Sequence, residues 1–165
     1  MSALEAVDIQ PLEKSDDHVV KWIVYTAVAW NDPPGLPPLE VAVEHPEIAR
    51  YHRGWGRRGD FGVGAAIDGK FAGAAFARLF TDDDHGHGYV DDQTPELGIA
   101  VEERFRGRGL GHRLMDALAD EARRLGIDRL SLSVNNPNPA KRLYEALGYQ
   151  AVDDDGESSV MVLGP

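Results

Sequence analysis

Residues 104–113 read RFRGRGLGHR, four arginines and a histidine around three glycines. The whole chain has 17 Lys and Arg residues against 28 Asp and Glu residues, a net charge of −11. Outside this stretch 13 basic residues stand against the 28 acidic ones, so the stretch is a local cationic segment in an acidic protein. It also bears on the fold, because a strand-like segment precedes it and a helix-like segment follows it.

The segment that follows predicts an amphipathic helix beginning near Gly109. Apolar residues recur every three or four positions from 110 to 125, and Gly126 is a stop signal. The first turn of a helix usually carries Asp or Glu, because its unpaired N–H groups are partly positive. Here arginines and glycines stand in that place, which predicts a bound anion, phosphate above all. A solvated basic loop is the alternative.

Composition predicts one globular domain over residues 1–165, with 42% hydrophobic and 27% charged residues. The absence of cysteine excludes disulfides and thiol nucleophiles and fits a reducing compartment. The first ten residues lack signal-peptide features, and the longest apolar run, 22–30, is too short for a bilayer. We therefore expect a cytoplasmic protein with no membrane partner. Its acidity argues against nucleic acid and is compatible with a cationic acceptor.

Strands and helices follow from hydrophobic periodicity and from turn residues. The turn Asp68-Gly69 predicts a hairpin between two of the strands. The proline-rich segment 31–38 ends the first helix as a stiff connector, with a PxxP ligand as the alternative. The predicted strands are 7–12, 60–68, 71–80, 96–102, 128–134, 149–153 and 158–163. The predicted helices are 15–30, 39–52, one from about 109 to 125, and 138–147.

The last predicted helix has complete end signals. Asn138 is the expected N-cap, Pro139 takes the first helical position, and Gly148 ends the helix. The polar segment 81–92 is different, since His85 and His87 stand among aspartates without a spacing that fixes a metal geometry. We expect a solvated loop there and no metal site.

Two familiar phosphate loops do not match the arginine-glycine segment. A P-loop needs GxxxxGK followed by Ser or Thr, which is absent. The dinucleotide fingerprint is GxGxxG, whereas Gly107, Gly109 and Gly111 give GxGxG, with no acidic residue at the expected distance. Nucleotide hydrolysis and nicotinamide chemistry thus lose their main support.

What remains is Arg106-x-x-Gly109-x-Gly111, followed by Asn138-Pro-Ala-x-x-Leu-Tyr144-x-x-Leu-Gly-Tyr149. This combination resembles the GNAT-type N-acetyltransferases, and the order of elements matches over nearly the whole chain. The resemblance implies a single α/β (α+β) domain with a central mixed, mostly antiparallel sheet of about seven strands. It further implies helices on both faces, a splay between the fourth and fifth strands, and acetyl-CoA as cofactor.

The resemblance also implies a cofactor site. The segment from Arg106 to His112 would wrap the pyrophosphate, the backbone of strand residues 99–101 would pair with the pantetheine arm, and Asn138 and Tyr144 would lie near the arm and its sulfur. Many members have the asparagine one residue earlier, where this chain has Pro137. The implied cofactor-binding residues are Ile99, Ala100, Val101, Arg106, Gly107, Arg108, Gly109, Leu110, Gly111, His112, Asn138 and Tyr144.

For catalysis, the resemblance implies direct attack of an amine on the thioester, without a covalent enzyme intermediate. Tyr144 is the implied proton donor to the leaving thiolate, which requires either a lowered pKa or a role as hydrogen-bond donor. Core packing is the alternative for this tyrosine. Glu96 is the implied base, acting through a raised pKa or a water relay. The alternative for Glu96 is a surface residue at a strand end.

The expected acceptor is a small-molecule or peptide amine, possibly cationic. We expect loops that contain Trp30, Trp55, Tyr89 and the aspartates at 82–84, 91 and 92 to border its pocket. A non-catalytic CoA-binding regulatory module is the main alternative function, and an anion-binding α/β domain unrelated to acyl transfer is another. The family often forms homodimers, so a homodimer is a further expectation.

Overall fold

The computed structural model describes residues 6–164 of the chain. Three helices follow the first strand, and three successive strands follow those helices; short 3-10 turns at 14–16 and 103–105 precede two of the helices. The elements are β1 Val7–Pro11, α1 Asp17–Val28, α2 Leu39–Ala42, α3 Pro46–His52, β2 Phe61–Ile67, β3 Lys70–Arg78, β4 Glu96–Val101, α4 Leu110–Arg124, β5 Leu130–Asn135, α5 Ala140–Ala146, β6 Gln150–Asp154 and β7 Ser158–Leu163.

The strands form one mixed sheet in the order β1-β2-β3-β4-β5-β7-β6. Within residues 6–164, β4 and β5 are the one parallel pair, and every other neighbouring pair is antiparallel. The hairpin between β2 and β3 turns at Asp68 and Gly69, with φ of 51° and 79°. Positive φ at both central positions is the type I′ geometry that matches strand twist. The predicted hairpin is confirmed.

Helices pack on both faces of the sheet. On one face Leu114 and Leu118 of α4 join a core with the strands. On the other face Ile23 of α1 packs with Phe76 and Ala100 in a second core. Side chains of successive strand residues point to opposite faces, so each strand contributes to both layers. The predicted architecture of seven strands with helices on both faces is confirmed.

The parallel strands β4 and β5 separate after a single registered pair of residues. Glu96 and Ser131 are in register, and Ser131 N–H donates to the carbonyl of Pro95 at 2.9 Å. No other pair of β4 and β5 residues in the described chain is in register, although each strand has six residues. The predicted splay between the fourth and fifth strands is therefore present, with Glu96 at its closed end.

The prediction of one helix over 39–52 is wrong. Two helices occupy the segment, separated at His45 and Pro46. Pro46 has no N–H and disfavours helical backbone in the preceding residue, so it starts a new helix. The ring nitrogen Nδ1 of His45 accepts the Glu47 N–H at 3.2 Å and caps α3.

Most predicted boundaries agree with the structure within two residues. The first helix is two residues shorter at each end than the predicted 15–30, because a 3-10 turn precedes it and it ends at Val28. The last helix begins at Ala140, and Pro139 rather than Asn138 precedes it directly. Asn138 nevertheless caps it, because its Oδ1 accepts the Ala140 N–H at 2.9 Å. No helix in residues 6–164 has the length and apolar character that a membrane span requires.

Candidate active site

Glu96 opens β4 at the closed end of the splay and is 3% exposed. Even-numbered residues of β4 face α1 and α3, since Ala100 belongs to the core on that side. From α3, the Tyr51 hydroxyl donates to Glu96 Oε2 at 2.6 Å. The alternative of a surface glutamate at a strand end is therefore wrong.

The pKa of Glu96 is raised to about 7, and burial is the main cause. The Tyr51 hydroxyl, the Gly88 amide, and the charges of His85 and Arg50 act in the lowering direction and offset part of this effect. Glu96 Oε1 is buried and makes no hydrogen bond of normal geometry to the described residues. A carboxylate that is half protonated near neutral pH is suited to exchange protons with a ligand.

The loop between β3 and β4 covers this carboxylate. Gly86 and Gly88 are buried, and a Cβ at Gly86 would lie 1.9 Å from the Tyr51 hydroxyl oxygen. A Cβ at Gly88 would lie 3.0 Å from Glu96 Cδ. The His87 N–H donates to the Tyr51 hydroxyl at 3.1 Å. The alternating glycines thus let the backbone lie directly on the Tyr51–Glu96 pair.

The prediction of a solvated loop over 81–92 is therefore wrong at Gly86 and Gly88, which are buried. The alternation His-Gly-His-Gly at 85–88 is the sequence signal that could have indicated close backbone approach. His85 stacks on Tyr89 with ring centroids 4.3 Å apart, and its carbonyl accepts from Arg50. Among residues 6–164 no group of three or more His, Asp or Glu side chains could hold a metal ion.

A buried ion pair fixes the position of α3. Arg78, at the end of β3, is fully buried and binds both carboxylate oxygens of Asp60 at 2.8 and 2.9 Å. Its guanidinium also donates to the carbonyls of Arg50 and Arg53 at 3.0 and 2.8 Å. Arg78 therefore attaches the last turn of α3, and Tyr51 with it, to the sheet.

Within residues 6–164, the edge of β4 that faces β5 is unpaired beyond Glu96, along the rest of the strand. Glu102 N–H donates to the Ala72 carbonyl on the β3 side. Hydrogen bonding alternates along an antiparallel pair, so even-numbered residues of β4 bond to β3 and odd-numbered ones face the splay. The backbone groups of Ile99 and Val101 thus face the gap between β4 and β5, whereas those of Ala100 bond to β3.

The arginine-glycine segment connects β4 to α4 beside this edge. Gly107 and Gly109 have φ of 77° and 79°, which favours glycine, and nothing lies within 4 Å of a Cβ at either. The first turn of α4 contains no acidic residue. Its N–H groups have no partner within the helix, because a helix leaves its first four donors unpaired. The segment is an open, electropositive cradle that fits a pyrophosphate.

The side chains of this segment have more specific contacts than the sequence indicated. Arg106 Nε donates to the Val101 carbonyl at 3.0 Å, so Arg106 braces the end of β4. The guanidinium groups of Arg104 and Arg108 lie over the Phe105 ring, 4.8 and 5.5 Å from its centre. His112 contacts Asp116 at 3.1 Å. Gly111 also allows α5 to approach, since its Cβ would lie 3.3 Å from Leu143 Cδ2.

Tyr144 lies on α5, beyond β5, and is mostly buried. Its ring centroid is 6.1 Å from that of Tyr149, and it belongs to the core on the α4 face. Burial raises the pKa of Tyr144 to about 12. The expectation that the pKa of Tyr144 is lowered is therefore wrong. The remaining option for this phenol is the other expected role, that of a hydrogen-bond donor.

The expected acceptor pocket needs one correction and gains one contact. Trp55 is buried, with Nε1 donating to the Glu13 carbonyl at 3.0 Å, so it does not border a pocket. Trp30 Nε1 donates to Asn135 Oδ1 at 2.9 Å and thereby links the end of α1 to the end of β5. Two of the expected aspartates pair with arginines, Asp84 with Arg50 and Asp91 with Arg129.

Comparison with known proteins identifies similar chains. The chain matches a curated relative, the ribosomal protein bS18-alanine N-acetyltransferase of Salmonella typhimurium, with 41% identity over 61 residues. The match covers 36% of this chain and 41% of that relative.

Solved structures share the fold over nearly the whole chain. PaiA N-acetyltransferase from Thermoplasma acidophilum, in complex with coenzyme A, has a TM-score of 0.68 at 15% identity and covers 97% of this chain and 99% of its own. YncA of Salmonella typhimurium, a putative acetyltransferase with acetyl-CoA, has a TM-score of 0.66 at 23% identity and covers 96% and 94%. The family model described as Acetyltransferase (GNAT) family matches residues 25–149. The chain therefore belongs to the GNAT family of acetyltransferases.

Proposed function

We propose that this protein transfers the acetyl group of acetyl-CoA to a primary amine by direct attack, with Glu96 as the base. The observation that carries the proposal is the buried Glu96 carboxylate at the closed end of the splay, whose pKa of about 7 matches neutral conditions. When bound, acetyl-CoA supplies an acetyl group activated as a thioester.

The residues that would hold the cofactor lie along one continuous path. Backbone groups of Ile99 and Val101 offer a strand edge to the pantetheine amides, and the segment from Arg106 to His112 offers N–H groups and positive charge to the pyrophosphate. Asn138 lies at the start of α5, with its Oδ1 already used as a cap and its amide nitrogen left for a ligand.

Two groups of the chain act on the reacting atoms in this proposal. Glu96 accepts the proton that the amine loses as the new carbon–nitrogen bond forms. The Tyr144 hydroxyl donates a hydrogen bond to the departing sulfur, because burial keeps this phenol protonated. The departing thiolate would then be protonated by Glu96, through water, or by solvent, because a phenol with a pKa of about 12 keeps its own proton.

We also propose a primary amine on a small molecule or a peptide as the acceptor. The bS18-alanine N-acetyltransferase relative acts on an alanine amine of a protein, and exposed Asp82, Asp83 and Asp92 would attract a cation. Pairing of Asp84 and Asp91 with arginines makes this attraction weaker than the sequence predicts. A cytoplasmic location and a homodimer remain part of the proposal.

The test is calorimetric titration of acetyl-CoA into the wild type and Gly109→Glu, with thiol release measured over a panel of amines. Position 109 is open but needs positive φ, so we expect the bulky anionic substitute to lower affinity at least ~100-fold through repulsion of phosphate and backbone strain. Gly126→Glu, also at positive φ with open space but at the other end of α4, is the matched control and should bind normally. If acetyl-CoA binds but no amine of the panel causes release of the CoA thiol, the result would instead support the non-catalytic module.

A further inference from the structure

We propose that Tyr51 is a positioning residue for Glu96, holding Oε2 so that Oε1 receives the proton of the acceptor amine. This inference rests on the proposed function, since it assigns a partner to the proposed base. It concerns a residue that carries no motif in the sequence and lies 45 positions before Glu96.

The hydroxyl of Tyr51 has a defined direction. It accepts the His87 N–H at 3.1 Å, and it donates to Glu96 Oε2 at 2.6 Å. A phenol has one hydrogen to give, so both of its usual roles are occupied. The short distance to the carboxylate is typical of a charge-assisted hydrogen bond, which favours the ionised form of Glu96.

The Tyr51 ring has little freedom to move. It packs edge-on against Phe76 and Phe80, with centroids 6.3 and 5.4 Å away. Arg78 holds the carbonyls of the neighbouring residues Arg50 and Arg53. Because the ring, its helix and the covering loop are all fixed, the hydroxyl holds one carboxylate oxygen in a constant place.

The other oxygen, Oε1, lies under the covering loop, where a Cβ at Gly86 would be 2.6 Å from it and where the Gly88 amide helps to lower the pKa of Glu96. Glu96 Oε1 is buried and makes no normal hydrogen bond within the part of the chain that the structure describes. The same holds for the hydroxyl of Ser131, which lies opposite Glu96 in the sheet and on the same face. Two buried, unsatisfied polar groups side by side are expected where a ligand or water completes the hydrogen bonding.

The proton balance is simple. The amine proton goes to Glu96 Oε1, directly or through one water, and leaves a neutral carboxylic acid. Tyr51 keeps its own proton throughout, since burial and the charge of Glu96 raise its pKa far above the ordinary value of 10. Tyr51 therefore orients the base and does not act as one.

Other charged groups near Glu96 also influence its pKa. Arg50 of α3 and His85 of the covering loop both lower its pKa. Arg78 lies opposite Glu96 on β3, but its charge is paired with Asp60. Asp84 pairs with Arg50 and reduces the influence of that arginine. Tyr51→Phe leaves all of these charged groups in place, so it isolates the effect of the hydroxyl.

The experiment measures the pH dependence of kcat and kcat/KM for the wild type, Tyr51→Phe and Glu96→Gln. For Tyr51→Phe we expect kcat to fall ~10-fold or more, KM to change less than about twofold, and the ascending limb to move up by about one pH unit, because a hydrogen bond to a charged group is lost. Tyr25→Phe is the control, since it removes a hydroxyl that donates to the Pro37 carbonyl on another part of the molecule, and it should match the wild type.

The outcomes separate the two proposals. If Glu96→Gln leaves the ascending limb unchanged, Glu96 is not the base and the proposed mechanism fails. If Glu96→Gln removes the limb while Tyr51→Phe leaves both kcat and the limb unchanged, the role of Tyr51 alone is overturned. NMR titration of the 13C-labelled Glu96 carboxyl gives a readout independent of turnover. If the pKa of Glu96 does not rise in folded Tyr51→Phe, the proposed role of Tyr51 is also overturned.

Discussion

At the scale of single residues, two buried carboxylates illustrate how surroundings set chemistry. Asp60 accepts two charge-assisted hydrogen bonds from Arg78, so its charge is fully paired. Glu96 is equally buried, but its one normal hydrogen bond within residues 6–164 comes from the neutral hydroxyl of Tyr51. Burial therefore dominates at Glu96 and raises its pKa to about 7. The first pair serves structure, and the second group is available for proton transfer.

The raised pKa of Glu96 predicts a stability cost at high pH. The folded chain holds the proton more tightly than the unfolded chain, so the contribution is fully present below the ordinary pKa of 4.5 and is lost as pH rises through about 7. This difference corresponds to roughly 3 kcal/mol at most. Glu96→Gln keeps the shape without the charge. We expect it to raise the free energy of unfolding at pH 8 by ~2 kcal/mol relative to wild type.

Urea unfolding at pH 5 and pH 8 checks this prediction. Other titrating groups are common to both proteins, so the difference between wild type and Glu96→Gln isolates Glu96. If the free energy of unfolding changes equally with pH in the two proteins, the pKa of Glu96 is not raised in the folded state.

At the scale of elements, this protein uses glycine in two ways around the site. Gly107 and Gly109 have positive φ and open space, so the backbone before α4 turns and leaves its N–H groups accessible. Gly86 and Gly88 serve close approach, since each leaves room for atoms that a Cβ would strike. The cofactor cradle and the cover over the base are therefore both built from backbone.

We predict that Gly86→Ala lowers kcat at least ~10-fold while the Kd for acetyl-CoA changes less than about twofold. The new methyl group would lie 1.9 Å from the Tyr51 hydroxyl and 2.6 Å from Glu96 Oε1, so the loop or the pair must move. A misplaced catalytic group commonly costs this much in rate. Initial rates and calorimetry provide the two measurements.

Gly64→Ala is the matched control for that substitution. Gly64 is an extended strand residue of β2 whose Cβ would meet Leu12 Cδ2 at 3.2 Å. It should retain wild-type kcat. Equal activity of Gly86→Ala and wild type would mean that the loop position does not matter for turnover.

At the scale of the whole molecule, a few long-range contacts join the helical layer to the sheet. Arg78 connects β3 to Asp60 and to the last turn of α3, and Trp30 connects α1 to Asn135 at the end of β5. The Arg78 contact is fully buried and holds α3 against the sheet. The second crosses from the β4 side of the splay to the β5 side.

We predict that Arg78→Met lowers the free energy of unfolding by about 4 kcal/mol, because it leaves the Asp60 charge buried and unpaired. Arg124→Met is the control, since Arg124 pairs with Glu121 at the exposed end of α4 and its loss should leave the free energy of unfolding close to that of the wild type. Urea unfolding followed by circular dichroism measures both. A loss at position 78 no larger than that at position 124 would contradict a central role for the buried pair.

Features that depend on neighbours along the chain can be predicted from the sequence alone. The Asp68-Gly69 hairpin, the start of α4 after Gly109 and the stop at Gly148 each follow from backbone preferences of one or two residues. The arginine-glycine and Asn-Pro-Ala motifs identified the family for the same reason, since each forms one local turn and helix start. Pro46 shows the limit even here, because the helical pattern over 39–52 conceals the local signal that divides α2 from α3.

Which side chains meet and which are buried depends on how distant segments pack together. Glu96 has the same sequence signal whether it lies at a surface or in a core, and its pKa depends on burial by α3 and the loop over 81–92. Tyr51 and Trp55 are four residues apart, yet one contacts the base and the other packs in the core. Burial and partner choice depend on contacts between distant segments, and the local pattern of a single chain does not encode which segments those are.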